Sequence, residues 1–200
     1  MSEAADDFAD DVADDVADDV ADDVAPDAVP LGDVAAVRAQ LGRTPRGVHA
    51  VAHRCRCGLP DVVETAPRLP DGTPFPTLFY VTCPRLAGAV STLEASGLMR
   101  EMTERLAADD ELAAAYGDAH RAYLARRERL GAVPEIAGVS AGGMPGRVKC
   151  LHVLVGHALA EGPGVNPLGD DALERLEPWW PEGPCVSPTG APDDTGPTAS

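Results

Sequence analysis

The sequence predicts an α+β fold, a small antiparallel sheet of about three strands packed with five or six helices. Three observations carry this. Runs rich in β-branched and aromatic residues fall between residues 47 and 83. From Pro84 onward, apolar residues recur at helical spacing. Between the two, Pro-Asp-Gly at 70–72 with Pro74 and Pro76 supplies tight connections in place of a long crossover.

The elements follow in chain order. Asp33 can cap a short helix that carries Val34, Val37 and Leu41 on one face, with Gly42 and Pro45 ending it. Residues 47–54, 61–66 and 77–83 read as strands of an antiparallel meander. Pro84 suits the first turn of a helix over 85–95, and Gly97 suits its stop. Helices over 98–107 and 110–130 follow, the second with Leu112, Tyr116, Tyr123, Leu124 and Leu130 as candidate core residues. Residues 146–160 form the most apolar helix and residues 170–177 a last short one.

Charge divides the chain. Residues 1–33 hold 13 acidic groups and neither Lys nor Arg, and the other 167 residues hold 20 acidic and 16 basic groups, so most of the net charge of −17 lies at one end. That end repeats Ala-Asp-Asp-Val from about Ala9 to Val24. Paired aspartates repel, and so few apolar groups cannot offset the entropy of ordering. We expect residues 1–32 to be a disordered acidic tail, with an arm for a basic partner or for divalent cations as the alternative. Residues 178–200 are rich in Pro and Gly and read as a second tail. There Trp179 and Trp180 could dock back on the domain, and Cys185 reads as an incidental thiol. Residues 33–177 are then a single globular domain.

Several functional classes are excluded or disfavoured. No run of about 18 apolar residues exists, so no membrane helix is expected. No basic segment with a following apolar stretch opens the chain, and five cysteines form no dense disulfide framework, so a cytoplasmic location is expected. The acidic balance argues against nucleic acid as a partner.

Cysteine and histidine offer the first candidate chemistry. Cys55 and Cys57 share a face if their segment is extended. Cys83 ends the third strand run. Cys150 and His157 lie two turns apart on the apolar helix, where His152 would point elsewhere. Thiols and an imidazole converging from three elements would hold zinc, and the same thiols could hold an iron–sulfur cluster. Against this, Cys83 and Cys150 also read as ordinary buried hydrophobes. A reactive thiol is the third reading, since Arg54 and Arg56 flank Cys55. His49 and His120 read as structural or solvated.

Glycine offers the second. Gly138 to Gly146 runs directly into the apolar helix, which places Arg147 and Lys149 in its first turn. Gly142 and Gly143 allow close backbone approach, Ser140 adds a hydroxyl, and a helix N-terminus attracts anions. Arg54, Arg68 and Arg85 could complete a basic pocket for phosphate or carboxylate, with ordinary surface salt bridges as the alternative. Residues 138–142 match Gly-x-Ser-x-Gly in letters, but no strand precedes them, so a hydrolase elbow is unsupported.

Longer motifs resemble one family. They are His53-Arg54-Cys55-Arg56-Cys57-Gly58-Leu59-Pro60, residues 64–69, residues 71–77, Thr82-Cys83-Pro84, residues 138–145 with 147–152, and Asn166-Pro167-Leu168-Gly169. Together, over about residues 34–177, they resemble the actinobacterial family called domain of unknown function 501. The resemblance implies a compact bacterial domain without an assigned reaction. It also implies a genomic setting near cell division and polyphosphate metabolism. Relatives tend to carry Asp where this chain has Gly146, so a carboxylate there is not required.

The sequence therefore supports a domain with a Cys/His metal site beside an anion-binding loop. An enzyme acting on a phosphorylated or carboxylated small molecule by metal or thiol chemistry is the alternative. A non-catalytic interaction module with an unknown protein partner is the third.

Overall fold

The computed structural model describes residues 29–187. The acidic repeat and the end of the C-terminal tail lie outside the described residues. The sheet comprises β1 (Val48–Arg54), β2 (Pro60–Thr65) and β3 (Phe79–Val81), antiparallel in the order β1-β2-β3. The α-helices are α1 (Leu31–Leu41), α2 (Pro84–Ala95), α3 (Leu98–Ala108), α4 (Asp110–Leu130), α5 (Leu151–Glu161) and α6 (Pro167–Glu174), with a 3₁₀ turn at Pro134–Ile136. The α+β expectation holds. No described helix is long and apolar enough to cross a membrane.

The central strand explains the layering. Every residue of β2 is buried, including Asp61, Glu64 and Thr65. Polar groups at that depth need partners. Glu64 accepts from Arg126 Nε at 2.6 Å, and Asp61 Oδ1 lies 2.7 Å from His53 Nδ1. Helix α5 supplies the other half of the core. Leu151 and all of Val153–Ala158 are buried, and α5 packs against the sheet, α2 and α6. Its period is not amphipathic because it is covered nearly all round.

Three local expectations change. Helix α1 begins at Leu31, and Asp33 lies inside its first turn, where its carboxylate takes two hydrogen bonds from Arg54 at 2.8 and 2.6 Å. That guanidinium holds the Asp33 carboxyl below its ordinary range. The last helix begins at Pro167, because Asn166 caps it by accepting from Gly169 N at 3.0 Å. The apolar helix begins at Leu151, five residues later than the pattern suggests. Gly142 and Gly143 take positive φ, and their carbonyls accept from Lys149 N at 2.7 Å and Arg147 N at 3.2 Å. Residues 142–149 are thereby tied into a loop.

Residues 178–187 do not hang free. Trp179 and Cys185 are partly buried against the core, and Arg85 donates to Gly183 O at 2.7 Å. Apolar area outweighs local composition here: two prolines forbid a helix but not docking.

His157 is fully buried in this core. It stacks on Phe79 at 5.7 Å between centroids, meets the edge of Tyr123 at 5.2 Å and lies 3.2 Å from Asn166 Nδ2. Burial lowers its pKa from 6.5 to about 4. Below pH 6.5 the unfolded chain binds a proton that the native state refuses. Stability from this group is therefore complete above pH 6.5 and declines as pH falls toward 4, by about 3 kcal/mol. Urea titrations across that range should show the decline, and His157→Phe should flatten it.

Closest approach is set by glycine. A Cβ on Gly169 would lie 2.3 Å from Leu154 O, in the backbone of α5. Gly169→Ala should cost about 3 kcal/mol, the upper end of the usual range for overpacking, measured as a lower urea midpoint.

Candidate functional site

Helix α2 presents Ala87, Ser91 and Glu94 along one face, at i, i+4 and i+7. The start of α5 packs against this face. Cys150 is the N-cap of α5 and is extended, with φ −155° and ψ 115°. Because Cys150 lies just before the helical residues Leu151 and His152, helical spacing does not set its direction, and its side chain turns toward His152. Their Sγ and Nδ1 atoms lie 3.9 Å apart. Glu94 Oε1 is 3.2 Å from the same Nδ1. Ligand atoms of Glu94, Cys150 and His152 all lie within 4.8 Å of one another, and no other such group occurs among the described residues.

The imidazole is held from its far side. His152 Nε2 lies 3.1 Å from Ala87 O and 3.5 Å from Ser91 Oγ. A carbonyl can only accept, so Nε2 carries the hydrogen and Nδ1 faces the cysteine and glutamate. Hydrogen bonding to Cys150, then the Glu94 carboxylate, raises the His152 pKa from 6.5 to about 9, against the opposing effect of burial.

Glu94 has a second task. Its Oε1 accepts from Leu151 N at 2.6 Å, the first amide of α5. One of the free N–H groups at the start of α5 is thus met by an internal carboxylate.

Cys150 and His152, but not Glu94, line a cleft of about 290 Å³, together with Thr77, Phe79, Tyr80, Val81, Ala87 and Val153. Mostly apolar walls with a few convergent polar groups are the ordinary composition of a ligand site. Three ligands of S, N and O type beside open space match a metal centre that keeps one coordination position free.

The expected thiol cluster is not assembled as one group. Cys150 stands with Glu94 and His152, Cys55 adjoins Cys57, and Cys83 adjoins Cys185. His157 is part of the aromatic core and offers no ligand to Cys150. Its Nε2 is buried with no partner. The two-turn relation between Cys150 and His157 fails because Cys150 precedes the helix. The same displacement brings His152 to the side of Cys150, against the expectation that it points elsewhere. Breakers at Gly138, Gly142, Gly143 and Pro145, with the apolar run opening only at Leu151, were the available signal. Glu94 carried none, being an unremarkable acid on a surface helix.

The Gly-rich loop also differs from expectation. Arg147 and Lys149 are exposed and precede α5, so neither occupies its first turn. Ser140 is buried, with its Oγ 2.9 Å from His120 Nδ1 and 3.3 Å from Met144 O. His120 is thus tied to the loop; burial, then Arg121 and Arg127, lowers its pKa. The fully buried guanidinium is Arg127, which donates to Ile136 O at 2.7 Å and Val139 O at 2.6 Å and anchors the loop. The expected basic pocket is dispersed. Arg54 pairs with Asp33, Arg68 with Glu135 at 2.8 and 2.7 Å, and Arg85 holds the C-terminal segment.

Removing the Glu94 carboxylate should loosen the start of α5. Glu94→Ala should lower stability by about 1–2 kcal/mol and speed hydrogen exchange at the Leu151 amide, whereas Glu94→Gln, which keeps an acceptor, should lose less.

A family model described as "Protein of unknown function (DUF501)" matches residues 51–174. No curated protein matches the chain. No solved structure matches it either.

Proposed function

The chain belongs to the family described as Protein of unknown function (DUF501), and from the geometry of the Glu94 trio we propose a metal-dependent activity on a small carboxylated or phosphorylated molecule. Glu94, Cys150 and His152 would bind one zinc-class ion whose open position faces the cleft. The observation that carries the proposal is the convergence of the three ligand atoms, with His152 Nε2 anchored on Ala87 O. Metal-binding histidines regularly donate their second ring N–H to a carbonyl or carboxylate.

A bound ion of this kind supplies Lewis acidity to an oxygen placed at its free position. The chain's own groups do the rest. Ala87 and Ser91 orient the imidazole. Glu94 divides its carboxylate between the α5 amide and the site. Phe79 and Val153 supply apolar wall to the cleft. An anionic oxygen suits the open position, which keeps the small anionic ligand within this proposal without the dispersed arginines.

One observation favours a second reading. The His152 ring nitrogen Nδ1 lies 3.9 Å from Cys150 Sγ, the side-chain pairing through which an imidazole can serve a cysteine nucleophile. Metal content separates the two. Metal-stripped, reduced protein should regain zinc on dialysis. Cys150→Ser, His152→Ala and Glu94→Ala should each hold one equivalent less than the parent, by elemental analysis. Unchanged zinc content in all three, with fast alkylation of Cys150 at neutral pH, would replace the metal reading with the thiol one.

A further inference from the structure

The strand order β1-β2-β3 leaves β3 at one edge of the sheet. Its register sets Val62 opposite Val81, Val63 opposite Tyr80 and Glu64 opposite Phe79. Along an antiparallel ladder, residues that bond the partner strand alternate with residues whose N–H and C=O turn away from it. Thr65 N donates to Leu78 O at 2.8 Å, and Thr82 N donates to Asp61 O at 2.9 Å. The bonded positions are therefore Leu78, Tyr80 and Thr82. Phe79 and Val81 direct their backbone groups to the free edge. Helix α5 covers that edge at Phe79, where a Cβ on Gly156 would lie 3.1 Å from Phe79 O. At Val81 no turn, cap or side chain among the described residues takes up the N–H or the C=O.

Val81 lines the cleft of about 290 Å³ that Cys150 and His152 also line. It is only 8% exposed, so its two backbone groups have little bulk water to serve them and need other partners. An unpaired edge of this kind is a template for another extended backbone. The chemistry is selective. A phosphate or a simple carboxylate offers acceptors only, which meets the Val81 N–H and leaves its C=O without a donor. A secondary amide offers both an N–H and a C=O, at the spacing of a strand. The cleft is small, since ligand cavities run to about 300–1,000 Å³. It suits one or two residues rather than a long added strand.

We infer that the cleft takes a short peptide-like amide that ends in a carboxylate. One residue of this ligand pairs with Val81 as a fourth strand would, its N–H donating to Val81 O and its C=O accepting from Val81 N. The terminal carboxylate then reaches the open position beside Cys150 and His152. This names a substrate class for the proposed activity. The carboxylate end rests on the metal reading, and the amide end rests on the strand edge alone. Phe79, Val81 and Val153 give the ligand's side chains an apolar wall.

The probe is acetyl-alanyl-alanine, titrated by calorimetry into the full chain, reduced, with and without zinc. A matched ester replaces the N–H of its first residue with oxygen and keeps both carbonyls and the carboxylate. The ester should bind about tenfold more weakly, because Val81 O then lacks its donor. Hydrogen exchange at the Val81 amide should slow when the peptide is added. Val81→Pro removes the outward N–H and spares the ladder, since proline is tolerated where an edge N–H points away from the sheet. It should weaken the peptide by a similar factor, and its urea midpoint reports whether it folds. The ester comparison needs no variant and decides the matter if Val81→Pro does not fold. Zinc should tighten binding of the peptide but not of its C-terminal carboxamide. Amide-dependent binding that zinc leaves unchanged would uphold the strand edge and overturn the metal end alone. Equal affinities for peptide and ester, acetate or inorganic phosphate binding as tightly as the peptide, or no peptide binding with or without zinc would overturn the inference.

Discussion

Close packing of α5 is the constraint on which the rest of this structure depends. The helix lies against β3 so tightly that a Cβ on Gly156 would sit 3.1 Å from Phe79 O. On its other side, Gly169 admits α6 to the backbone at Leu154. Glycine at both contacts lets backbones approach where side chains would hold them apart. Interiors packed to this density do not deform gradually, so the ends of α5 are placed as firmly as its middle. Cys150 and His152 stand at one end, and Asn166 with His157 ties the helix to α6.

Charge is organised by depth. The acidic excess lies mainly in a segment outside the described residues, and within the domain arginines meet carboxylates in discrete pairs. Exposed pairs such as Arg68 with Glu135 contribute little to stability. The pair of Glu64 with Arg126 differs, because Glu64 is almost wholly buried and breaking it would strand a charge. Arg127 is spent entirely on backbone carbonyls, which turns the 134–140 segment into a fixed wall. Arg54, Arg68 and Arg85, which suggested part of an anion pocket, are therefore consumed by the fold, whereas Arg147 and Lys149 stay exposed.

The candidate site was partly legible. Cys150 and the importance of the segment around it followed from residue type. Its partners did not. A helix assumed to begin at residue 146 rotates Cys150 away from His152, and a start at Leu151 brings them together. The error is small in sequence and large in direction, since one helical residue turns the side chain by about 100°. Glu94 sits 56 positions from Cys150, and only the packing of α2 on α5 joins them. Cys185 shows the same limit: proline and glycine around it indicate an open tail, whereas burial of Trp179 draws the segment onto the domain.

Sequence alone determined what is local. Alternating β-branched residues, helical spacing, proline at the start of α2 and glycine after helices specify element type, because backbone sterics and capping act over a few residues. It also sets the acidic repeat apart by composition, an expectation that falls on residues outside those described. Only tertiary structure decided which thiols meet, where α5 begins and which acid completes the trio. Those outcomes depend on contacts between distant segments, whose energies come from packing and hydrogen-bond satisfaction. No single residue carries that information, since Glu94 and Cys185 gain their meaning from the atoms brought beside them.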